Sequence, residues 1–232
     1  MQYLLQLRSA FAELSLPEAL RLGTTLFPGA VCFSTSLGQE DQVLTDIIAR
    51  SGLPVRLFTL DTGRLFEETY ATYERTVARY KLPIDVFFPK AEAVQELAAR
   101  QGVNGFYESV AQRQACCGVR KVEPLARALR GARVWITGLR AEQNDHRKSI
   151  SVVEWDADRE LYKINPLLHW SYEEVLAHLR QYNVPYNPLH DQGFLSIGCA
   201  PCTRAVEPGE EARAGRWWWE QSHKECGLHL QR

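Results

Sequence analysis

An alternation of short apolar runs with longer helix-like segments limits the fold of this chain more than any other feature. The runs AVCFST, LPVRLFTL, LPIDVFF and ARVWITG are rich in β-branched and aromatic residues, which is typical of buried strands, and ELYKINPLL is a candidate fifth strand. Strands that alternate with helices form a mostly parallel sheet with helices on both faces. We therefore predict an α/β, Rossmann-like fold.

Helical periodicity fills most of the intervals between these runs and fades from Pro185 onward, where Pro and Gly become frequent. We expect an α/β domain over residues 1–184 and an irregular C-terminal extension over residues 185–232. Ligands of such sheets bind outside the carboxyl ends of the strands, and we expect the extension to lie over that edge.

The sequence predicts six helical segments. They are an opening amphipathic helix from Leu4 to Leu14, the segment DQVLTDIIARS, a helix from about Leu65 to Tyr80, a helix from about Ala91 to Arg100, part of CGVRKVEPLARALRG, and SYEEVLAHLRQYN with Ser171 as its cap.

Composition and charge narrow the class of protein. The chain has 232 residues, of which 45% are hydrophobic and 24% are charged, as in ordinary globular proteins. Its formal net charge of −1 argues against non-specific binding of nucleic acid. The segment MQYLLQLRSAFAELSLPEAL lacks the features of a signal peptide, and no apolar run has the length of a bilayer crossing. We expect a cytoplasmic protein without membrane contacts, in which thiols stay reduced.

Five of the six cysteines are placed for chemistry rather than for packing. Cys116 and Cys117 are adjacent, and Cys199 and Cys202 form a CxxC motif, a spacing found in zinc and iron–sulfur sites. Neighbouring thiolates suit a cluster with several irons better than one tetrahedral ion. Zinc and two unrelated cysteine pairs remain alternatives. Cys226 is left over and is a candidate nucleophile.

The stretch STSLGQED, between the first strand and a helix, is a candidate phosphate-binding loop. Ser34, Ser36 and Gly38 offer hydroxyl and backbone N–H donors at a helix N-terminus, although the loop matches neither a Walker A nor a GxGxxG pattern. An ordinary strand–helix turn is the alternative. Cations near the predicted strand ends and the cysteines favour an anion pocket, and they are Lys121, Arg140, Arg147, Arg204, Arg213 and Arg216.

Read together, these motifs resemble one family. STSLGQED, LDTGRLFEETY, CCGVRKVEPL, GLRAEQ, KINPLLHWS, GCAPCT and ECGLH follow in the order found in the phosphoadenylyl/adenylyl-sulfate reductases, from about Ser34 to His229. Family members that carry both cysteine pairs hold an iron–sulfur cluster and use adenylyl sulfate (APS). The chain therefore resembles an assimilatory, thioredoxin-dependent APS reductase with an adenine-nucleotide alpha-hydrolase-like fold. Its loop is one residue longer than the SxSGAED form common in cluster-bearing members.

The resemblance implies a role for each candidate residue. One [4Fe–4S] cluster would be held by the two cysteine pairs, and a thioredoxin or glutaredoxin-like protein would supply electrons. The thiolate of Cys226, on a mobile tail with His229 beside it, would attack the sulfur of APS. The substrate would be bound in the α/β domain by residues of the loop and by cations, namely Ser34, Ser36, Gly38, Lys121, Arg140, Arg147, Arg213 and Arg216.

Three other functions remain open from the sequence. The first is a reductase of 3′-phosphoadenylyl sulfate that carries a cluster. The second is a tRNA-thiolating enzyme of the ATP-pyrophosphatase type, although that class usually has an SGGxDS loop. The third is a non-enzymatic zinc-stabilised binding module, which the near-neutral charge and the spare thiol disfavour. The sequence leaves the oligomeric state undecided, and a homo-oligomer remains open.

Overall fold

A single six-stranded sheet forms the centre of the protein, which is described by a computed structural model for residues 2–143 and 149–220. The strands are β1 (Val31–Ser34), β2 (Arg56–Leu60), β3 (Ile84–Phe87), β4 (Val134–Ile136), β5 (Val153–Asp156) and β6 (Leu161–Ile164). Their order across the sheet is β3-β2-β1-β4-β6-β5. Every neighbouring pair is parallel except β5 and β6. The predicted mostly parallel α/β sheet is confirmed.

Helices connect the strands and cover both faces of the sheet. They are α1 (Leu4–Glu13), α2 (Leu16–Leu26), α3 (Gln39–Arg50), α4 (Glu67–Tyr80), α5 (Ala91–Gln101), α6 (Val110–Cys117), α7 (Glu123–Ala128) and α8 (Tyr172–Gln181). A π-helical turn, Gly118–Val122, joins α6 to α7. Such turns occur often at functional sites, and this one lies between a cysteine pair and a helix that packs on the sheet.

The predicted opening helix is confirmed as α1 (Leu4–Glu13), and a second helix that was not predicted, α2, begins directly after it. Ser15 and Glu18 form a capping box that starts α2, and Pro17 lies in its first turn. The backbone N–H of Ser15 donates to Glu18 Oε2 at 3.0 Å. Because proline is tolerated at a helix start but not within a helix, the chain ends α1 before Ser15 and starts α2 there.

The core consists of two apolar layers, one on each face of the sheet. Side chains of a strand alternate between faces, so Phe33 of β1 packs with Leu44 of α3 on one face and Cys32 packs with Leu125 of α7 on the other. All four are at most 1% exposed. Replacing a large buried residue such as Phe33 by alanine typically costs about 3–5 kcal/mol of stability.

The described part of the predicted extension, residues 185–220, contains little regular structure. Two 3₁₀ turns, Pro188–Gln192 and Ala200–Cys202, and one antiparallel bridge between Thr203 and Arg216 are its regular features. The division at residue 184 remains a prediction. Over the described ranges 2–143 and 149–220, none of the helices combines the length and apolar character that a membrane crossing requires.

Candidate active site

The loop that follows β1 is held in shape by an aspartate of the next helix. The backbone N–H and the hydroxyl of Ser36 both donate to Asp41 Oδ2 at 2.6 Å. Leu37 adopts a left-handed conformation with φ of 63°, and Gly38 caps α3. The turn therefore depends on Asp41, and the Ser36 hydroxyl is already engaged. Ser34, at the end of β1, accepts a hydrogen bond from Trp135 Nε1 at 2.8 Å.

A cavity of about 460 Å³ opens at the carboxyl ends of β1, β2 and β4. Its floor is formed by the strand ends, and its outer wall is formed by the stretches 195–199 and 212–217. This is the edge where open parallel sheets bind ligands, and the volume lies in the range of small-molecule and cofactor sites. Parts of the predicted extension thus lie over this edge of the sheet, and the binding site there remains a prediction.

Part of the cavity wall consists of an arginine paired with two glutamates. Arg140 Nε donates to Glu40 Oε1 at 2.9 Å, and its Nη1 donates to Glu142 Oε2 at 2.7 Å. Gln143 Nε2 also donates to Glu40 Oε1, at 3.0 Å. The positive charge of Arg140 is thus compensated by two carboxylates before any ligand binds.

Three further cations, Lys121, Arg213 and Arg216, line the same cavity. Arg216 is 6% exposed, and its buried Nε has no hydrogen-bond partner among the described residues. The guanidinium lies against the backbone of Gly198, where a β-carbon would stand 2.2 Å from Nη2. The ring of Trp217 packs 4.8 Å from its Cζ. A buried guanidinium in this situation suits an anionic ligand.

The two cysteine pairs meet in a second, small cavity beside the first. Cys116, Cys117, Cys199 and Cys202 all line it, and none of the four is in a disulfide. Within the described ranges, no three His, Cys, Asp or Glu side chains are arranged to hold a single metal ion. The other residues around the thiols are largely cationic or apolar, and they are Arg64, Phe106, Arg113, Arg120, Lys121 and Pro201.

Burial and cations act in opposite directions on these thiols. Burial raises the pKa of Cys202 to about 12 and also raises the pKa of Cys116. Burial likewise opposes ionisation of Cys199, but Lys121, a hydrogen bond with Thr62 and the charge of Arg216 bring its pKa below the ordinary value. The Thr62 Oγ1 to Cys199 Sγ distance is 3.3 Å. The cations around the four cysteines therefore favour the thiolate form, which is the form that binds metals.

Lys121 and Cys199 join the two cavities. Each of them lines both the large cavity and the thiol cavity. Lys121 stands in the π-helical turn Gly118–Val122, and Cys199 stands just before the 3₁₀ turn Ala200–Cys202. A ligand that contacts Lys121 or Cys199 in the large cavity would thus lie next to the cavity that holds the four thiols.

A buried ion pair links the helix that carries the first cysteine pair to the C-terminal extension. Arg113 Nε and Nη2 donate to the two carboxylate oxygens of Glu220, both at 2.9 Å, and the two side chains are 1% and 3% exposed. Arg113 lies in α6 one turn before Cys117, and its Cζ packs 4.6 Å from the ring of Trp217. The pair fixes the described end of the extension to the helix that carries the first cysteine pair.

Comparison with known proteins decides the family. Residues 30–205 match the phosphoadenosine phosphosulfate reductase domain. The chain belongs to this family. The predicted family membership is confirmed.

Relatives of this reductase family share most of their length with the chain. It is 56% identical over 201 residues to adenosine 5′-phosphosulfate reductase of Allochromatium vinosum, covering 86% of this chain and 78% of the relative. It is 52% identical over 203 residues to the enzyme of that name from Sinorhizobium fredii strain USDA 257, covering 87% and 81%.

Solved structures agree with the fold. A phosphoadenylyl-sulfate reductase from Candida auris, in a phosphate complex, matches with a TM-score of 0.75 and 30% identity, covering 89% of this chain and 97% of that chain. An FMN adenylyltransferase from Candida glabrata matches with a TM-score of 0.57 and 17% identity, covering 96% and 76%, and so shows the fold alone.

The structure places most of the predicted reductase residues in these two cavities. Arg147, Cys226 and His229 lie outside the described residues. The remaining substrate candidates line the large cavity, and they are Ser34, Ser36, Gly38, Lys121, Arg140, Arg213 and Arg216.

Sequence reasoning missed several supporting residues of this reductase site. Asp41 could have been found, because the ED of STSLGQED falls in the first turn of the helix that follows the loop. The Arg113–Glu220 pair gave no local signal, since its members are 107 positions apart.

Proposed function

We propose that this protein reduces adenylyl sulfate to sulfite and AMP in assimilatory sulfate reduction, with a thioredoxin or glutaredoxin-like protein as electron donor. The observation that carries the proposal is the sharing of Lys121 and Cys199 between the cation-lined cavity and the four-thiol cavity. The sulfate end of a nucleotide bound there would lie beside the cysteines. The names of the relatives support the same substrate.

The polarity of the large cavity indicates how the substrate would lie. The phosphosulfate would occupy the end where Lys121, Arg213 and Arg216 supply positive charge. The nucleoside would lie along the strand ends, near Ser34, Ser36 and Gly38. We assign Arg140 and Arg147 to the region of the nucleoside. Arg140 would act there by holding the carboxylates of Glu40 and Glu142 in place. We keep residues 185–232 as the proposed extension, whose stretches 195–199 and 212–217 line the cavity.

The thiol cavity fits a [4Fe–4S] cluster that would be held by Cys116, Cys117, Cys199 and Cys202. Four cysteines that line one cavity without a disulfide between them supply the required ligand count, and the surrounding cations offset the charge of four thiolates. When bound, the cluster would supply a rigid and charged wall next to the substrate. The electrons for the reaction come from the protein reductant.

The residues of the chain carry out the reaction in two steps. The Cys226 thiolate attacks the sulfur of APS, the bond from sulfur to the phosphate oxygen breaks, and AMP leaves, so that Cys226 carries an S-sulfonate. A thiolate of the reductant then attacks Cys226 Sγ and releases sulfite, and the second thiol of the reductant frees Cys226. Lys121, Arg213 and Arg216 would offset the repulsion between thiolate and substrate, and we assign His229 to the surroundings of the nucleophile.

The test is to separate the first step from the second. Native protein incubated with APS and no reductant should gain one sulfonate on the peptide that contains Cys226, detected by mass spectrometry. Cys226→Ser should gain none and should keep the visible absorption of the cluster, whereas Cys116→Ser should lose that absorption. Sulfite release by Cys226→Ser would refute the mechanism. A higher rate with 3′-phosphoadenylyl sulfate would refute the substrate assignment.

A further inference from the structure

An exposed apolar surface lies next to the thiol cavity, and the proposed reaction leaves it without a role. We call it the aromatic patch, formed by Tyr107 and Trp218 with the flanking residues Val103 and Val110. These four side chains are 38%, 39%, 66% and 36% exposed. The rings of Tyr107 and Trp218 meet edge to face with centroids 6.3 Å apart.

The base of the aromatic patch is rigid. The Tyr107 hydroxyl donates to the backbone oxygen of Pro201 at 2.6 Å, within the CxxC motif. Its ring also packs on Trp219 at 4.5 Å, and Trp219 packs on Trp218 at 4.9 Å. Phe106, the neighbour of Tyr107, lines the thiol cavity from within. Aromatic side chains held in place in this way lose little entropy on binding and are frequent anchors of protein interfaces.

The described part of the chain ends next to the aromatic patch, and the proposed nucleophile Cys226 follows shortly after that end in sequence. Trp218 precedes Glu220 by two residues, and Glu220 is fixed by its buried bidentate pair with Arg113. Cys226 follows Glu220 by six residues. A fully extended chain of that length spans at most about 20 Å. A protein that attacks Cys226 Sγ must therefore bring its thiolate to within about that distance of Glu220, and Trp218 of the aromatic patch lies two residues from Glu220.

We propose that the aromatic patch is the docking surface for the protein disulfide reductant. This inference rests on the proposed function. The partner is a small protein with a surface dithiol set in an apolar face, which would cover Trp218 and Tyr107 while its thiolate reaches Cys226. In that encounter the sulfur of the partner bonds to Cys226 Sγ, sulfite leaves with the electron pair of the broken S–S bond, and the dithiol ends as a disulfide. Because Glu220 is fixed by Arg113, the six residues that follow it limit the distance between Cys226 and this surface.

The experiment compares a protein reductant with a small one on the same loaded enzyme. Trp218→Ser and Val103→Glu are each converted to the S-sulfonated form with APS, and sulfite release is followed with thioredoxin or with dithiothreitol. We expect KM for thioredoxin to rise about tenfold for Trp218→Ser, the loss of one interface anchor, and about threefold for Val103→Glu. Release by dithiothreitol should stay unchanged. The control is Phe88→Ser, which removes an aromatic side chain that is 54% exposed at the end of β3.

The outcomes separate this inference from the proposed function. If native protein forms no S-sulfonate, the proposed function fails, and the docking of a reductant that rests on it fails as well. If S-sulfonate forms but both patch variants keep the native KM for thioredoxin, the docking surface is wrong. Equal losses with thioredoxin and dithiothreitol, or a loss of cluster absorption in Val103→Glu, would assign the patch to shielding of the thiol cavity. Conversion of a native dimer to a monomer by Trp218→Ser would assign it to self-association. Each of the last three results overturns the proposal.

Discussion

Gly138 and Asp41 are in direct contact, and a β-carbon on Gly138 would stand 2.0 Å from Asp41 Oδ1. This contact joins the end of β4 to the loop after β1, because the other carboxylate oxygen of Asp41 holds Ser36. Only glycine allows the approach. The shape of the candidate phosphate loop thus depends on a residue of a different strand.

Gly138→Ala should therefore disturb nucleotide binding as well as stability. The added methyl must displace the Asp41 carboxylate, which releases Ser36. We expect a stability loss of about 1–3 kcal/mol, as for overpacking of a tight site. The Kd for AMP, measured by titration calorimetry, should rise at least about tenfold, the equivalent of one lost hydrogen bond to a charged group.

Gly23→Ala is the matched control for this substitution. Gly23 lies in α2, and a β-carbon there would meet nothing within 4 Å. Alanine in a helix interior is favoured over glycine by about 1 kcal/mol, so this variant should be slightly more stable and should bind AMP normally. Equal behaviour of the two variants would contradict the role of the Gly138–Asp41 contact.

The buried ion pair between Arg113 and Glu220 should contribute strongly when one partner alone is removed. Arg113→Gln leaves the Glu220 carboxylate buried without a counter-ion, and we expect a loss of about 3–5 kcal/mol in the free energy of unfolding. Arg204→Gln breaks the pair with Glu210, whose side chains are 35% and 31% exposed, and should cost about 0–1 kcal/mol. Urea unfolding of both variants measures the difference, and similar losses would argue against a special role for the buried pair.

Arg216 should contribute to anion binding through the shape of its guanidinium. Arg216→Lys keeps the charge but loses the planar donor set that lies against Gly198. We expect binding of AMP and of APS to weaken about tenfold, with the cluster absorption retained. Arg204→Lys is the control, since Arg204 is paired with Glu210 instead. Unchanged affinity in Arg216→Lys would remove Arg216 from the substrate site.

His190 gives the protein a predicted sensitivity to acid. Its pKa lies below the ordinary 6.5 chiefly because the ring is buried, and the charges of Glu40 and Asp191 and a backbone contact with Phe194 offset this only in part. Below about pH 6.5 the unfolded chain binds the proton more readily than the folded protein does. The free energy of unfolding should therefore fall as pH falls from 6.5 through the lower folded-state pKa.

Unfolding measured at pH 7.5 and at pH 5.5 tests this expectation. His190→Asn should lose less stability over that interval than the native protein does. His169→Asn changes an exposed histidine and should keep the native pH response. A native-like response in His190→Asn would show that other groups cause the acid sensitivity.

The sequence revealed the parts of the fold that depend on local pattern. Five strands, including β6 within the candidate ELYKINPLL, and most helices followed from apolar periodicity, because a buried parallel strand is apolar on both faces. Strand β5 (Val153–Asp156) was missed, since it is a four-residue edge strand whose two middle residues are only partly buried. In the turn between β5 and β6, Glu160 has a left-handed conformation with φ of 52°. A glutamate in the sequence does not predict such a conformation.

The site could be predicted where chemistry was concentrated in short motifs. The cysteine pairs and the strand-end loops are visible because their members are close in sequence. The compensation of Arg140 by Glu40, and the approach of Gly138 to Asp41, join segments about 100 residues apart. Such pairs depend on the strand order β3-β2-β1-β4-β6-β5, which places the β4 end beside the β1 loop.

The common wall formed by Lys121 and Cys199 has a thermodynamic consequence. Two binding equilibria that share side chains are coupled, and the coupling free energy is the same whichever ligand arrives first. Whatever occupies the thiol cavity must therefore alter the affinity of the neighbouring cavity for its anion. The anion must alter retention of that occupant by the same factor.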